Sequence, residues 1–181
     1  MIDFLKENFI WIAGIATAAK WVYEYSQKLR WEKSKFLLER LEDFLSNDST
    51  EKVHKILDWN KVKIDFGGEK IVITDDILFE ALQTHDIKKT FTETELKLRC
   101  LFDEYLDDMT EFLILSECGL LEKRDFRKFM KYWIDIISAE NKRKPQHLHD
   151  QFQRYMSFYG FEKLLVFIKK KPIFDTFCFR L

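Results

Sequence analysis

The sequence predicts a mainly α-helical protein, with one long N-terminal helix followed by a helical-bundle domain that carries a small β-hairpin. The 181 residues include only five Gly and two Pro, the residues that most often end helices. Through most of the chain, apolar residues recur every three or four positions, which is the spacing of one helix face. Residues 61–73 instead alternate between polar and apolar side chains around a Gly-Gly pair, which predicts the hairpin.

Helix boundaries follow from capping residues and stop signals. The first helix is predicted over residues 4–45, because the turn-forming sequence SNDST follows it. Thr92 and Glu95 form a capping box that begins a helix ending at Cys118, and Gly119 suits the position after that end. Pro145 suits the first position of the final helix. The other predicted helices cover residues 51–59, 75–85 and 122–138, and the final helix covers residues 145–170.

Charge and cysteine content argue against several classes of protein. Thirty Lys and Arg balance 31 Asp and Glu, whereas a dedicated nucleic-acid-binding protein usually carries a basic excess. Cys100, Cys118 and Cys178 are widely spaced and form no CxxC or Cys/His metal pattern. No Gly-rich phosphate-binding loop occurs. We therefore expect free thiols, no metal and no cofactor.

The functional prediction depends on the N-terminal segment NFIWIAGIATAAKWVYEYSQK, residues 8–28. Its uninterrupted apolar core, residues 9–19, is only 11 residues long and ends at Lys20. Aromatic side chains flank this core on both sides, as membrane interfaces favour. A helix over residues 4–23 would be about 30 Å long, the thickness of a bilayer core. This favours a membrane-spanning helix over residues 1–25.

Three other interpretations of this segment stay open. A signal peptide would begin with a basic region, but the start MIDFLKEN does not. A buried core helix of a soluble protein is the more common meaning of so short an apolar run. An amphipathic helix lying in the membrane interface would also combine these aromatic and charged residues.

The distribution of basic residues orients the predicted span. Six Lys and Arg lie between Lys20 and Arg40, whereas only Lys6 precedes the apolar run. By the positive-inside rule, the C-terminal part lies in the cytoplasm and the N-terminus outside. The sequence thus predicts a single-pass protein of the bacterial inner membrane, with a stalk helix over residues 26–45 and a cytosolic helical domain over residues 46–181.

Polar and small residues share one stripe of the predicted span, which suggests assembly into a ring. Ala13, Thr17 and Lys20 lie on this stripe and are the candidates for lining a shared lumen. Gly14 and Ala18 form a small-xxx-small pair that permits close packing between helices. We therefore expect a homo-oligomeric membrane pore whose partners are other copies of the chain and membrane lipid.

One candidate catalytic pair, Arg143 and His149, occurs in NKRKPQHLHD, residues 141–150. Arg followed by His after four to six residues is the motif of HEPN domains, helical bundles that often cleave RNA without metal. In those enzymes the His transfers protons and the Arg steadies the phosphate. Lys144 replaces the polar residue that often follows the Arg, and Pro145 lies inside the motif. We therefore expect that the chain is not an enzyme.

The aromatic-flanked N-terminal helix, the helical domain and the late Arg143/His149 pair together resemble the small HEPN-like membrane accessory protein of type VI-B CRISPR systems. The resemblance implies a HEPN-like bundle and a pore that perturbs the inner membrane. It also implies a functional link to an RNA-guided, RNA-cleaving effector whose antiviral defence the pore enhances. The alternatives are a membrane-tethered HEPN ribonuclease that uses the same pair, and a non-conducting membrane adaptor.

Overall fold

The computed structural model describes the backbone of residues 2–138 and 143–169, and the side chains of these residues except 2–10, 12 and 13. Within those ranges the chain forms eight helices and one β-hairpin, and no other strand. The elements in order are α1 (Ile2–Ser46), α2 (Asp48–Asp58), β1 (Lys61–Phe66), β2 (Glu69–Thr74), α3 (Asp75–Ala81), α4 (Glu93–Glu117), α5 (Lys123–Phe129), α6 (Lys131–Ile137), α7 (Gln146–Phe158) and α8 (Glu162–Lys169).

The chain divides into two compact units, Met1–Leu41 and Glu42–Leu181. The first unit belongs to α1, and the second contains the remaining helices and the hairpin. Nothing in this division tests the predicted domain boundaries at residues 25 and 45, which stay predictions.

Helix α4 is the centre of the second unit, where it contacts α2, α3, α5 and α8. Its start is fixed by the predicted capping box: the Thr92 N–H donates to Glu95 Oε2 at 2.9 Å, and the Glu95 N–H donates to Thr92 Oγ1 at 3.3 Å. The core around α4 is made of large apolar side chains from all of these helices, including Ile56, Leu78, Leu98, Phe102, Tyr105, Met109, Phe126 and Leu164.

The β-hairpin forms where the alternating pattern predicts it. β1 and β2 pair antiparallel, with Ile64 opposite Ile71. Gly67 and Gly68 have φ angles of 71° and 101°, a region that side chains with a Cβ avoid, so the tight turn needs both glycines. Asp65 Oδ1 also accepts a hydrogen bond from the Gly68 N–H at 2.6 Å. Burial of Ile64 attaches one face of the hairpin to the helical unit.

Two helices that the sequence predicts as continuous are each divided. The predicted helix 122–138 bends at Met130, whose φ and ψ are −91° and 5°, although hydrogen bonds continue on both sides of that residue. The predicted helix 145–170 is interrupted at Gly160, which has a φ of 88°. Apolar spacing continues through both interruptions, so periodicity alone did not reveal them.

The prediction of a membrane-spanning helix over residues 1–25 is wrong. Among the described residues, no helix is both long enough and apolar enough to cross a membrane. Helix α1 has the length, at 45 residues, but its apolar run of residues 9–19 is bounded by Glu7 and Lys20, which lower its hydropathy. The predictions that depended on the span fall with it: the membrane pore, the ion channel, and the single-pass inner-membrane location with an outer N-terminus and a cytoplasmic domain.

Candidate functional site

The Arg143/His149 motif lies where the chain enters α7. Pro145 is the N-cap of this helix, one position earlier than the sequence predicts, with φ and ψ of −64° and 150°. Arg143 and Lys144 precede the cap, and His149 lies one turn into the helix. The three basic side chains have three different environments.

Arg143 is half exposed and is held by a carboxylate. Its Nη1 donates to Oδ1 of Asp58, at the end of α2, and the hydroxyl of Tyr132 donates to the same oxygen. The guanidinium also lies over the Tyr132 ring, 5.4 Å from its centroid. Asp58 raises the pKa of Tyr132, chiefly through this hydrogen bond. An incoming phosphate would therefore compete with Asp58 for the Arg143 guanidinium.

His149 is buried, with 1% of its surface exposed. Among the described residues, neither ring nitrogen has a hydrogen-bond partner of normal geometry. Burial lowers the pKa of His149, and the nearby backbone of Lys144 and Ile137 only partly opposes this effect. A neutral imidazole without contact to solvent is poorly placed to exchange protons with a substrate.

Lys144, which separates this motif from the usual HEPN pattern, joins three elements. Its Nζ donates to Asp75 Oδ1 at 2.6 Å and to the Trp59 carbonyl at 2.8 Å. These groups lie at the start of α3 and the end of α2, so Lys144 links both helices to the start of α7. In the sequence, Lys144 is notable only as a departure from the motif. No sequence pattern indicates its structural role.

Other chemistry-bearing groups do not converge on a second site. Within residues 2–138 and 143–169, no group of three or more His, Cys, Asp or Glu side chains could hold a metal ion. Cys100 and Cys118 are exposed and free, and Cys178 lies outside the described residues. Burial raises the pKa of Asp103, whose Oδ1 accepts a hydrogen bond from the Tyr155 hydroxyl at 2.5 Å.

The residues predicted to line a lumen lie on the exposed part of α1. Thr17 and Lys20 are exposed, and the Lys20 ammonium lies 3.7 Å from the Glu24 carboxylate one turn away. The Ala13 side chain lies outside the described residues. Gly14 and Ala18 are exposed, and a Cβ added at Gly14 would meet no described atom within 4 Å. The predicted roles of these five residues stay predictions.

A continuous apolar stripe on the same part of α1 is the main feature that the sequence analysis missed. Its members recur at steps of four, three, four, three and four residues, so they line one side of the helix. We call this stripe the α1 seam. It consists of Trp11, Ile15, Ala18, Val22, Tyr25 and Leu29, all exposed, the first of them with 74% of its surface accessible. The 4-3 spacing is present in the sequence itself.

Several charges of α1 are paired along the helix. Three Lys–Glu pairs one turn apart have N–O distances between 3.5 and 3.8 Å: Lys20–Glu24, Lys28–Glu32 and Lys35–Glu39. At 100° per residue, Lys20, Glu24 and Lys28 point away from the seam, whereas Glu32 follows Leu29 at the next position of the 4-3 spacing and marks the end of the seam. Between residues 11 and 29 the seam is therefore an uncharged surface.

Comparison of the chain with protein families, with characterised proteins and with solved structures gave no match. The geometry of the chain is thus the basis for assigning its function.

Proposed function

We propose that the chain is a non-enzymatic accessory protein that acts by assembling with other copies of itself through the α1 seam. The observation that carries this proposal is the exposure of six residues at 4-3 spacing on one side of a continuous helix. A repeat of 3.5 residues keeps a stripe facing a partner helix that winds around it, as in a coiled coil. An apolar stripe of this length favours burial over contact with water.

A second copy of the chain is the partner that best complements the α1 seam. Because the seam is uncharged between residues 11 and 29, and the Lys20–Glu24 and Lys28–Glu32 pairs each sum to zero charge, its partner needs a matching uncharged stripe and no excess charge of either sign. An identical seam meets both requirements. Ala18, in the middle of the seam, leaves room for the two helices to approach closely.

The surroundings of Arg143 and His149 support a function without catalysis. The Arg143 guanidinium is engaged by Asp58, and the His149 imidazole is buried with a lowered pKa. A general acid–base pair needs groups that reach a substrate and change protonation near the working pH. In the proposed function this pair stabilises the entry to α7.

The resemblance to the accessory protein of type VI-B CRISPR systems supplies the proposed biological setting. In that setting, the assembled chain enhances antiviral defence by an RNA-guided, RNA-cleaving effector. Protection against phage would be measured in cells that contain the effector alone, or the effector with this chain. If the chain acts with the effector, cells that contain both should be better protected than cells with the effector alone. Equal protection in the two strains would contradict this functional link.

The mass of the purified full-length chain, measured by light scattering, tests the assembly. Val22→Glu puts a charge into the α1 seam, whereas Tyr23→Glu puts the same charge on the neighbouring residue outside it. These side chains are similarly exposed, at 69% and 63%, which makes the second variant a matched control. We expect the parent and Tyr23→Glu to be oligomeric, and Val22→Glu to be monomeric.

Two results would overturn this proposal. A monomeric parent at all concentrations would show that the seam does not join copies, and binding of that monomer to lipid vesicles would assign the seam to a lipid surface instead. Equal loss of assembly in Val22→Glu and Tyr23→Glu would show that the contact is not made by the seam.

A further inference from the structure

We infer that two copies of the chain pair through the α1 seam in antiparallel orientation, with the two-fold axis passing between the helices at the level of residue 20. This inference rests on the proposed self-assembly and specifies its geometry. The six seam positions are symmetric about residue 20, because each of the pairs 11 and 29, 15 and 25, and 18 and 22 is equally distant from it. A second helix running in the opposite direction therefore presents the same stripe at the same levels.

The antiparallel arrangement pairs every residue of the seam with a residue of the second copy. In a heptad, Ile15, Val22 and Leu29 take the a position, and Trp11, Ala18 and Tyr25 take the d position. Reversing one helix brings each a position level with a d position of the other. The three layers, each formed twice, are Trp11 with Leu29, Ile15 with Tyr25, and Ala18 with Val22.

The size of the paired side chains fits these layers. Ala18, the smallest residue of the seam, meets Val22 in the layers nearest the axis, so the helices are closest there. The aromatic residues Trp11 and Tyr25 meet the aliphatic Leu29 and Ile15 farther from the axis. A parallel pair would instead place Trp11 against Trp11 and Ala18 against Ala18, which joins the two bulkiest and the two smallest side chains.

The charges beside the seam also distinguish the two orientations. In a parallel pair, Lys28 of one copy lies beside Lys33 of the second, and this repulsion occurs twice. In the antiparallel pair, Lys28 lies beside Gly14 instead. The antiparallel orientation therefore removes a repulsion between like charges.

The length of the seam agrees with the exposed part of α1. From Trp11 to Leu29 the seam extends about 27 Å. Leu37 is the first buried residue among the described side chains of α1, so the seam ends two turns before burial begins. Pairing over residues 11–29 thus lies within the part of α1 that precedes its first buried side chain.

Disulfide cross-linking of the full-length chain tests the orientation. With Cys100, Cys118 and Cys178 replaced by Ser, Trp11→Cys and Leu29→Cys are prepared separately, then mixed and oxidised. We expect a cross-linked dimer in the mixture and none in either variant alone, because residues 11 and 11 would be about 27 Å apart in the antiparallel pair. Ala19→Cys leaves the seam intact and is expected to cross-link to itself across the axis.

A matched control uses Thr17→Cys mixed with Tyr23→Cys. These positions are also symmetric about residue 20 but lie outside the seam, so no cross-link is expected. A cross-link formed by Trp11→Cys alone would overturn the antiparallel orientation. So would a chain of dimeric mass that forms no cross-link either in the mixture or in Ala19→Cys. Both results would leave the proposed assembly intact. A chain of monomeric mass would overturn both.

Discussion

The ammonium of Lys144 lies 2.6 Å from the carboxylate of Asp75, and the Lys144 side chain has no exposed surface. The same ammonium donates to the Trp59 carbonyl, so one buried charge fixes the end of α2, the start of α3 and the entry to α7. A HEPN enzyme often has a polar residue at this position of its motif. Here the position carries a structural ion pair, which ties the Arg143 segment to the core of the unit.

Replacing Lys144 by Met is expected to lower the free energy of unfolding by about 3 kcal/mol, because it leaves the Asp75 carboxylate partly buried without its cation. Urea denaturation measures this change. The exposed pair Lys163–Glu117 supplies the control, since Lys163→Met should change stability by no more than about 0.5 kcal/mol. Equal effects in the two variants would contradict a structural role for Lys144.

The sequence predicted those features of the fold that depend on local signals. The hairpin around Gly67 and Gly68 is observed because the turn needs positive φ angles, and the capping box at Thr92 is observed because both its bonds are local. The bend at Met130 was missed because it lacks a Gly or Pro signal. The prediction of a membrane span was wrong because aromatic residues at the ends of an apolar run do not compensate for its short length and the charges that bound it.

The candidate site was harder to predict, because burial is a tertiary property. Arg143 and His149 match a motif in their spacing, yet one side chain is half exposed and the other is buried. Neither the contact of Lys144 with Asp75 nor that of Arg143 with Asp58 can be derived from spacing, since the partners are 69 and 85 residues apart. The α1 seam, in contrast, has a period that the sequence alone contains.

Arg143 and His149 are expected to affect stability rather than RNA cleavage. His149→Ala removes a buried ring and should lower the free energy of unfolding by about 3 kcal/mol. Arg143→Ala breaks a half-exposed ion pair and should cost no more than about 1 kcal/mol. RNA incubated with the parent and with each variant should remain uncleaved. Cleavage by the parent that both substitutions abolish would instead support a HEPN ribonuclease.

Arg99 is a second buried cation of the second unit, in addition to Lys144. Its Nη1 donates to the carbonyls of Ala81 and Gln83 at 2.8 and 2.7 Å, and its Nη2 donates to the Tyr159 hydroxyl at 2.6 Å. The guanidinium also lies over the Phe91 ring, 4.3 Å from its centroid. These contacts satisfy carbonyls at the end of α3 and connect them to the end of α7.

Arg99→Lys is therefore expected to lower the free energy of unfolding by about 2 kcal/mol, although the charge is kept, because one ammonium cannot reproduce the planar set of donors. Arg154 forms an ion pair with Asp86 in which both side chains are 49% exposed. Arg154→Lys should therefore change the free energy of unfolding by no more than about 0.5 kcal/mol. Urea denaturation of both variants makes the comparison. An unchanged free energy of unfolding in Arg99→Lys would mean that the charge at this position matters and the geometry of its donors does not.

Protonation of His54 is expected to lower the stability of the folded chain in mild acid. Its imidazole stacks on the Trp133 indole with centroids 3.6 Å apart and also contacts the Tyr105 ring. Burial lowers the pKa of His54 from 6.5 to about 4. Between these values the unfolded chain binds a proton that the folded chain does not, so the free energy of unfolding falls as the pH falls from about 6.5 toward 4.

The size of this loss, reduced because His54 remains partly exposed, should be on the order of 2 kcal/mol. His54→Phe keeps an aromatic ring against Trp133 but cannot titrate, so its stability should depend less on pH over the same range. Taking the difference between parent and variant removes the contribution of His149, whose pKa burial also lowers. Urea denaturation at several pH values from 4.5 to 7.5 measures both curves, and parallel curves would show that His54 is protonated equally in the folded and unfolded chains.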